Sequence, residues 1–245
     1  MNSWTADDTE LFCTYGDAFV PRRGEQYAAI CASIDPLLEQ AVLELGCGAG
    51  LLTAAILQSQ PAAVVTALDS SESMLAMARR QVAHFADRVS LCRGDLRDSA
   101  WCSGRYGAVV TSLAVHHLDD EAKRDLMRAV YDLLVPGGVF VQADLIRPAT
   151  PATTTLAAAT WDASVADQSV ELFGNNQAHI AFQRSRWNTF RFPDPVDQPA
   201  TVVDNVLWLR RIGFGGIDVP WAFAGHAIVS AVRPATADEG AGSAE

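Results

Sequence analysis

Apolar positions along the chain alternate between short unbroken runs and helical spacings. The first helical spacing covers residues 22–38, where Tyr27, Ile30, Cys31, Ile34, Leu37 and Leu38 share one face. Pro36 falls inside that run and predicts a break before it. The preceding FCTYGDAFVPRR is aromatic with little periodicity. Ala41–Leu45, Val64–Leu68, Val89–Cys92, Tyr106–Leu113 and Val139–Leu145 then read as buried strands. Between them, residues 50–59 (Leu52, Ala55, Ile56), 72–86 (Met74, Leu75, Ala78, Val82, Phe85) and 120–134 (Leu126, Met127, Val130, Leu134) read as amphipathic helices. Pro136-Gly137-Gly138 is expected to stop the last helix and turn the chain.

Strands alternating with amphipathic helices predict βαβ units and an α/β fold. This is a doubly wound, mostly parallel sheet with helices on both faces. A ligand then belongs at the carboxyl ends of the strands, where the strand order reverses. Residues 148–200 break the alternation with Trp161, Phe173, Phe182, Trp187, Phe190 and Phe192, and are expected to form a helical lid inserted over the sheet. A helix over 201–212 and two strands, Gly216–Phe223 and Ala227–Val232, return to the sheet as a hairpin turning at Gly225, with the last strand antiparallel. The expected organisation is one domain, 1–234. It comprises an N-terminal helical cap (1–40), a ligand-binding core (41–147), a substrate lid (148–200), and a C-terminal helix and hairpin (201–234). The Ala-, Gly- and acid-rich tail, 235–245, is expected to be disordered.

At 245 residues the chain is long enough for one large core. No apolar run approaches membrane-spanning length. The start, MNSWTADDTE, lacks the basic and apolar blocks of a signal peptide, so a cytoplasmic protein beginning near Met1 is expected. The net charge of −11 repels phosphate backbones and disfavours a nucleic-acid partner. The cysteines, five in number, form no C-x-x-C pair, which points to reduced thiols rather than a zinc site or disulfide framework.

Three motifs carry chemistry. In Val42-Leu43-Glu44-Leu45-Gly46-Cys47-Gly48-Ala49-Gly50 a buried strand runs into three alternating glycines and a helix. Such glycines let the backbone turn sharply and approach a ligand, and the helix start offers free N–H groups. Asp69 ends the next strand, 19 residues after Gly50, where an acid can accept both hydroxyls of a ribose. The competing reading is a helix N-cap in Asp69-Ser70-Ser71-Glu72. Gly94-Asp95-Leu96 follows the third strand, where a carboxylate can meet an adenine amino group; a simple turn aspartate is the alternative.

With these motifs on the page, the sequence resembles the class I, seven-stranded, Rossmann-like S-adenosylmethionine-dependent methyltransferases. The resemblance rests on ELGCGAG, Asp69, Gly94-Asp95-Leu96 and LLVPGG at 133–138, and covers about residues 40–147. The spacing Gly46-x-Gly48-x-Gly50 fits that family and departs from the G-x-G-x-x-G of dinucleotide enzymes. The resemblance implies S-adenosyl-L-methionine as cofactor and S-adenosyl-L-homocysteine as product. By it, Glu44, Gly46, Cys47, Gly48 and Gly50 would line the methionine and ribose. Asp69 would hold the ribose, Ser70 and Met74 the adenosine, and Asp95 and Leu96 the adenine. Ser112, Leu113 and Ala114 would pass the methionyl end. Tyr15 from the N-terminal segment is a candidate cover, and Arg22 or Arg23 a candidate partner for the cofactor carboxylate.

The implied reaction is in-line methyl transfer to a small-molecule acceptor, as in specialised metabolism. A hydroxyl acceptor needs its proton removed, and histidine suits that task. His116 and His117, after the fourth strand, and His179, in the lid, are the candidates; each can equally be structural or shell to the cofactor. Asp144, ending the fifth strand, can also face the substrate. No acid cluster with an Asn is visible, and no metal is expected. His84 and His226 read as structural. Lid aromatics suit a sulfonium, with plain core packing as the alternative. The competing functions are synthesis of a modified cofactor for tRNA modification and a non-catalytic cofactor-binding regulator. A nicotinamide oxidoreductase is disfavoured by the glycine spacing. The acceptor, the type of methylated atom and the oligomeric state (a homodimer included) stay open.

Overall fold

A computed structural model describes residues 6–34, 40–98 and 101–235. Pro36 and residues 236–245 of the expected tail lie outside these described residues. The elements run α1 (Ala6–Phe19), α2 (Arg23–Ser33), β1 (Ala41–Leu45), α3 (Leu51–Ser59), β2 (Val64–Asp69), α4 (Glu72–Gln81), β3 (Val89–Arg93), β4 (Tyr106–Ser112), α5 (Asp120–Leu133), β5 (Leu134–Leu145), α6 (Pro151–Phe173), α7 (Gln177–Arg184), α8 (Val202–Ile212), β6 (Gly215–Phe223) and β7 (His226–Val232).

One seven-stranded sheet has the order β3-β2-β1-β4-β5-β7-β6. β1 to β5 are mutually parallel, and β7 runs antiparallel to both β5 and β6. The order reverses between β1 and β4, so their carboxyl ends open the crevice where a ligand belongs.

Strand residues alternate between two cores. Val42, Val65, Ala108, Val110, Val139 and Val141 face α2 and α3. Leu43, Leu45, Val109 and Phe140 face Leu126, Met127 and Val130 of α5 and Trp208 and Leu209 of α8. A third cluster joins Ala18 and Phe19 of α1 to Trp161 and Val165 of α6 and Phe182 of α7. This is the lid. It lies against Leu145 and Leu113 at the ligand end of the sheet.

Three expectations need correction. The aromatic stretch before residue 22 is helical, since Leu11, Tyr15 and Phe19 recur four apart in α1 and pack in one cluster with α6 and α7. The helix expected over 72–86 ends at Gln81, and Ala83–Phe85 is a separate tight 3₁₀ turn. Pro136-Gly137-Gly138 does not stop α5, which ends at Leu133; it lies within β5, where the register to β4 slips between Tyr106 and Ala108. The C-terminal hairpin turns on Ala224-Gly225, both with positive φ, as a two-residue primed turn requires.

Candidate functional site

The glycine loop hangs from the end of β1. The Gly46 and Cys47 N–H groups both donate to the Leu68 carbonyl of β2, at 2.8 and 2.9 Å. Gly46 has φ 72°, and a Cβ there would lie 2.5 Å from the Ala114 Cβ. The β4 loop is therefore pressed against the glycine loop at a distance only glycine allows. Gly48 has φ 52°, yet a Cβ there would meet nothing within 4 Å. At that point the backbone faces open space.

Asp69 borders this space. Its Oδ2 accepts the Gly48 N–H at 2.9 Å and its Oδ1 the Ser71 N–H at 2.8 Å. The cap of α4 is Ser71, whose Oγ accepts the Met74 N–H at 3.3 Å. Asp69 is thus not the N-cap. It is a half-buried carboxylate held rigidly with acceptor capacity to spare. Ser70 is exposed beside it, while the Met74 side chain is buried.

Glu44 lies on β1, two residues before Gly46. It is buried, and its Oε2 accepts the Thr53 hydroxyl of α3 at 2.5 Å. Burial pushes its carboxyl up to about 8; the Thr53 bond works against this, and the Asp69 charge adds to it. Burial, helped by the Glu44 and Asp69 charges, also pushes the Cys47 thiol up, so Cys47 is no thiolate nucleophile. Asp95 is exposed and accepts the Arg97 N–H at 2.9 Å, which makes it the turn aspartate of the alternative reading; its side chain stays accessible. Leu113, between Ser112 and Ala114, takes φ 54°. A bulky residue rarely adopts that conformation, and its N–H is held by the Ala143 carbonyl at 2.9 Å.

Tyr15 packs against the rings of Phe19 and Phe173. The Arg22 guanidinium lies 4.1 Å from the Phe223 ring centroid and 3.6 Å from Glu25. Trp161 and Phe182 are buried, so for these two the core-packing reading holds.

The histidine pair ends β4. His116 is buried, and its Nδ1 lies 2.5 Å from Asp144 Oδ1. Asp144 Oδ2 accepts the His116 N–H at 3.0 Å. Burial alone would lower the His116 pKa, but Asp144, with help from Asp197, more than offsets it and the pKa is raised. His117 lies beside it, with ring centroids 4.0 Å apart and the rings tilted by 53°. Both rings face Asp197, which arrives from the loop after α7. Burial tends to raise the Asp197 pKa, yet the two histidines hold it below the usual range. Asp144 is 1% exposed and thus serves His116 rather than a substrate directly. His179 lies on α7, its N–H donating to Ser169. His226 is buried, and burial lowers its pKa to about 4.

The glycine loop, Asp69 and both histidines were candidates in the sequence, whereas Asp197, which the fold brings beside the histidines, was not. That residue lies in the non-periodic 185–200 loop with no spacing to betray it.

Residues 42–138 match the sequence profile of a methyltransferase domain. An uncharacterised methyltransferase of Synechocystis sp. is 33% identical over 109 residues, covering 44% of this chain and 49% of the relative. A trans-aconitate 2-methyltransferase of Mycolicibacterium gilvum is 35% identical over 118 residues, covering 48% of this chain and 42% of the relative. The chain spans about half the length of the curated relatives it matches. The structure of an O-methyltransferase family protein from Burkholderia thailandensis superposes with a TM-score of 0.63 at 15% identity, over 87% of this chain and 57% of that one. Glycine loop, strand-end acid, sheet order and matched profile agree. The chain carries a class I, S-adenosylmethionine-dependent methyltransferase domain.

Proposed function

We propose that the protein transfers a methyl group from S-adenosylmethionine to a small-molecule acceptor. The observation that carries this reading is the open space at Gly48, bordered by the Asp69 carboxylate at the carboxyl ends of β1 and β2. A ribose diol fits there as donor to Asp69, with Gly46 and Gly48 admitting close backbone approach. S-Adenosylmethionine, when bound, supplies an already activated methyl group. The chain's own residues therefore mainly position the acceptor and exclude water, and such positioning is worth on the order of 7–11 kcal/mol in favourable cases.

The lid supports a small acceptor. Helices α6 and α7 close over the ligand end of the sheet through Phe19, Trp161 and Phe182. The acidic net charge disfavours a phosphate backbone as substrate. Among the described residues no helix is long and apolar enough to cross a membrane. The matched trans-aconitate enzyme suggests small carboxylates as one acceptor class. The His116, His117 and Asp197 side chains mark the acceptor end of the crevice, at the termini of β4 and β5.

The test incubates the full chain with S-adenosylmethionine and panels of small carboxylic acids, phenols and amines, followed by mass spectrometry. A methylated acceptor with stoichiometric S-adenosylhomocysteine is expected. An altered cofactor with no methylated acceptor would instead favour synthesis of a modified cofactor. Binding without any turnover would favour a regulator.

A further inference from the structure

The His116, His117 and Asp197 cluster has the geometry of a metal site. His116 Nε2 and His117 Nδ1 lie 3.6 and 3.3 Å from the same atom, Asp197 Oδ1, and the three lie within 4.8 Å of one another. Zinc holds nitrogen and oxygen ligands at about 2.0–2.2 Å, which spaces the ligands of a tetrahedral site by about 3.3 Å. The two separations from Asp197 Oδ1 are of that size, and all three ligand atoms lie within 4.8 Å.

Asp144 sets the tautomer. Its Oδ1 is 2.5 Å from His116 Nδ1, so that nitrogen carries a hydrogen, and in the neutral ring Nε2 presents its lone pair to Asp197. This is the outer-carboxylate arrangement that orients metal-ligating imidazoles. A lone pair facing a carboxylate needs a positive species between them. A proton on Nε2 is the competing occupant; at 3.6 Å it makes an ion pair with Asp197 rather than a well-formed N–H···O bond. His117 Nδ1 is buried and has no hydrogen-bond partner of acceptable geometry.

The frame is fixed from several sides. The Gln198 N–H, one residue after Asp197, donates to the His116 carbonyl at 2.7 Å. The buried Lys123 ammonium donates to the carbonyls of Gln198 and Leu118. Arg97 donates to the His117 carbonyl at 3.0 Å. A loop aspartate held this firmly next to two imidazoles is poised for ligation.

We propose that His116 Nε2, His117 Nδ1 and Asp197 Oδ1 bind one divalent transition-metal ion of the zinc type, with Asp144 as the outer carboxylate. Two imidazoles and one carboxylate suit zinc, cobalt or iron(II); magnesium prefers oxygen ligands throughout. Three protein ligands leave a fourth position open, as in catalytic rather than structural zinc sites. The His117 and Asp197 side chains retain 31% and 19% exposure, which gives that position an outlet. An oxygen of water or of an acceptor would take it. The site stands on these residues alone and does not rest on methyl transfer.

The test uses untagged full-length protein, dialysed against Zn²⁺ and analysed for bound metal, with Co²⁺ as a visible-absorption probe. One ion per chain is expected, with tetrahedral cobalt bands. Asp197→Asn and His117→Ala should each weaken uptake at least about tenfold and abolish or shift the cobalt bands, with far-UV circular dichroism unchanged. His84→Ala, an exposed histidine outside the cluster, should retain both. Should His117→Ala fail to fold, the near-isosteric Asp197→Asn decides. Uptake well below one ion per folded wild-type chain would overturn the proposal, as would uptake that survives Asp197→Asn.

Discussion

The backbone N–H of Gly48 donates to the Asp69 carboxylate across 2.9 Å. Through this bond the acid that ends β2 also shapes the glycine loop that ends β1. Loop and acceptor are thereby set against each other by a bond within the chain. Asp69→Ala should weaken S-adenosylmethionine binding by roughly 1–3 kcal/mol, the scale of losing a charged hydrogen-bond acceptor. Asp69→Asn keeps the shape and one acceptor oxygen, so it should lose less. Calorimetric titration of both variants checks the order, and equal affinity in all three proteins would remove Asp69 from the site.

Gly46 fails as any other residue for two separable reasons, its φ of 72° and the Ala114 methyl in the path of a Cβ. Gly46→Ala should cost about 1–3 kcal/mol of stability. Adding Ala114→Gly removes the overlap but not the dihedral strain, so the double variant should recover part of the loss. Thermal unfolding measures both. A double variant no more stable than the single one would show that the overlap is not the cause.

Glu44 makes stability depend on pH. Its carboxyl rises on folding from 4.5 to about 8, chiefly through burial. The folded chain therefore binds more protons than the unfolded chain between those values. This contribution is fully present below the unfolded pKa and is lost as pH climbs through the folded one. Glu44→Gln keeps an acceptor for Thr53 and removes the titration. The variant should match wild type near about pH 4 and exceed it by a few kcal/mol near about pH 9. Parallel melting curves for the two proteins at all pH values would contradict the assignment.

Gln168 staples α6 to the N-terminal segment. Its Nε2 donates among the carbonyls of Asp17, Ala18 and Val20 at 2.9–3.1 Å, and its Oε1 accepts the Arg22 N–H at 2.7 Å. Gln168→Ala should cost about 2–3 kcal/mol by leaving buried backbone groups unpaired. Hydrogen exchange should speed up most in the segment around Val20 and Arg22. Uniform acceleration across the sheet instead would mean that the staple is not local.

The cofactor half of the molecule was legible because its signals are local. A β-branched run ending in glycines fixes strand, turn and helix together, and Asp69 falls one strand later at a fixed remove. α1 was less legible. Gly16 and the exposed Cys13 and Thr14 dilute its apolar face, and its partners, Trp161 and Phe182, lie over 140 residues away. Asp197 was not legible at all. Its place beside His116 depends on Lys123 and Gln198 pinning an aperiodic loop, which is a tertiary relationship with no imprint on spacing. Asp144 shows the same limit: its position at a strand end was readable, whereas its pairing with His116 required the fold.

The most direct measurement is a calorimetric titration of the full chain with S-adenosylmethionine, with NAD and NADP titrated in parallel. Saturable binding of S-adenosylmethionine at one site per chain, and none of either nicotinamide cofactor, is the expected result. Binding of a nicotinamide cofactor in its place, or no binding of S-adenosylmethionine at all, would contradict the account.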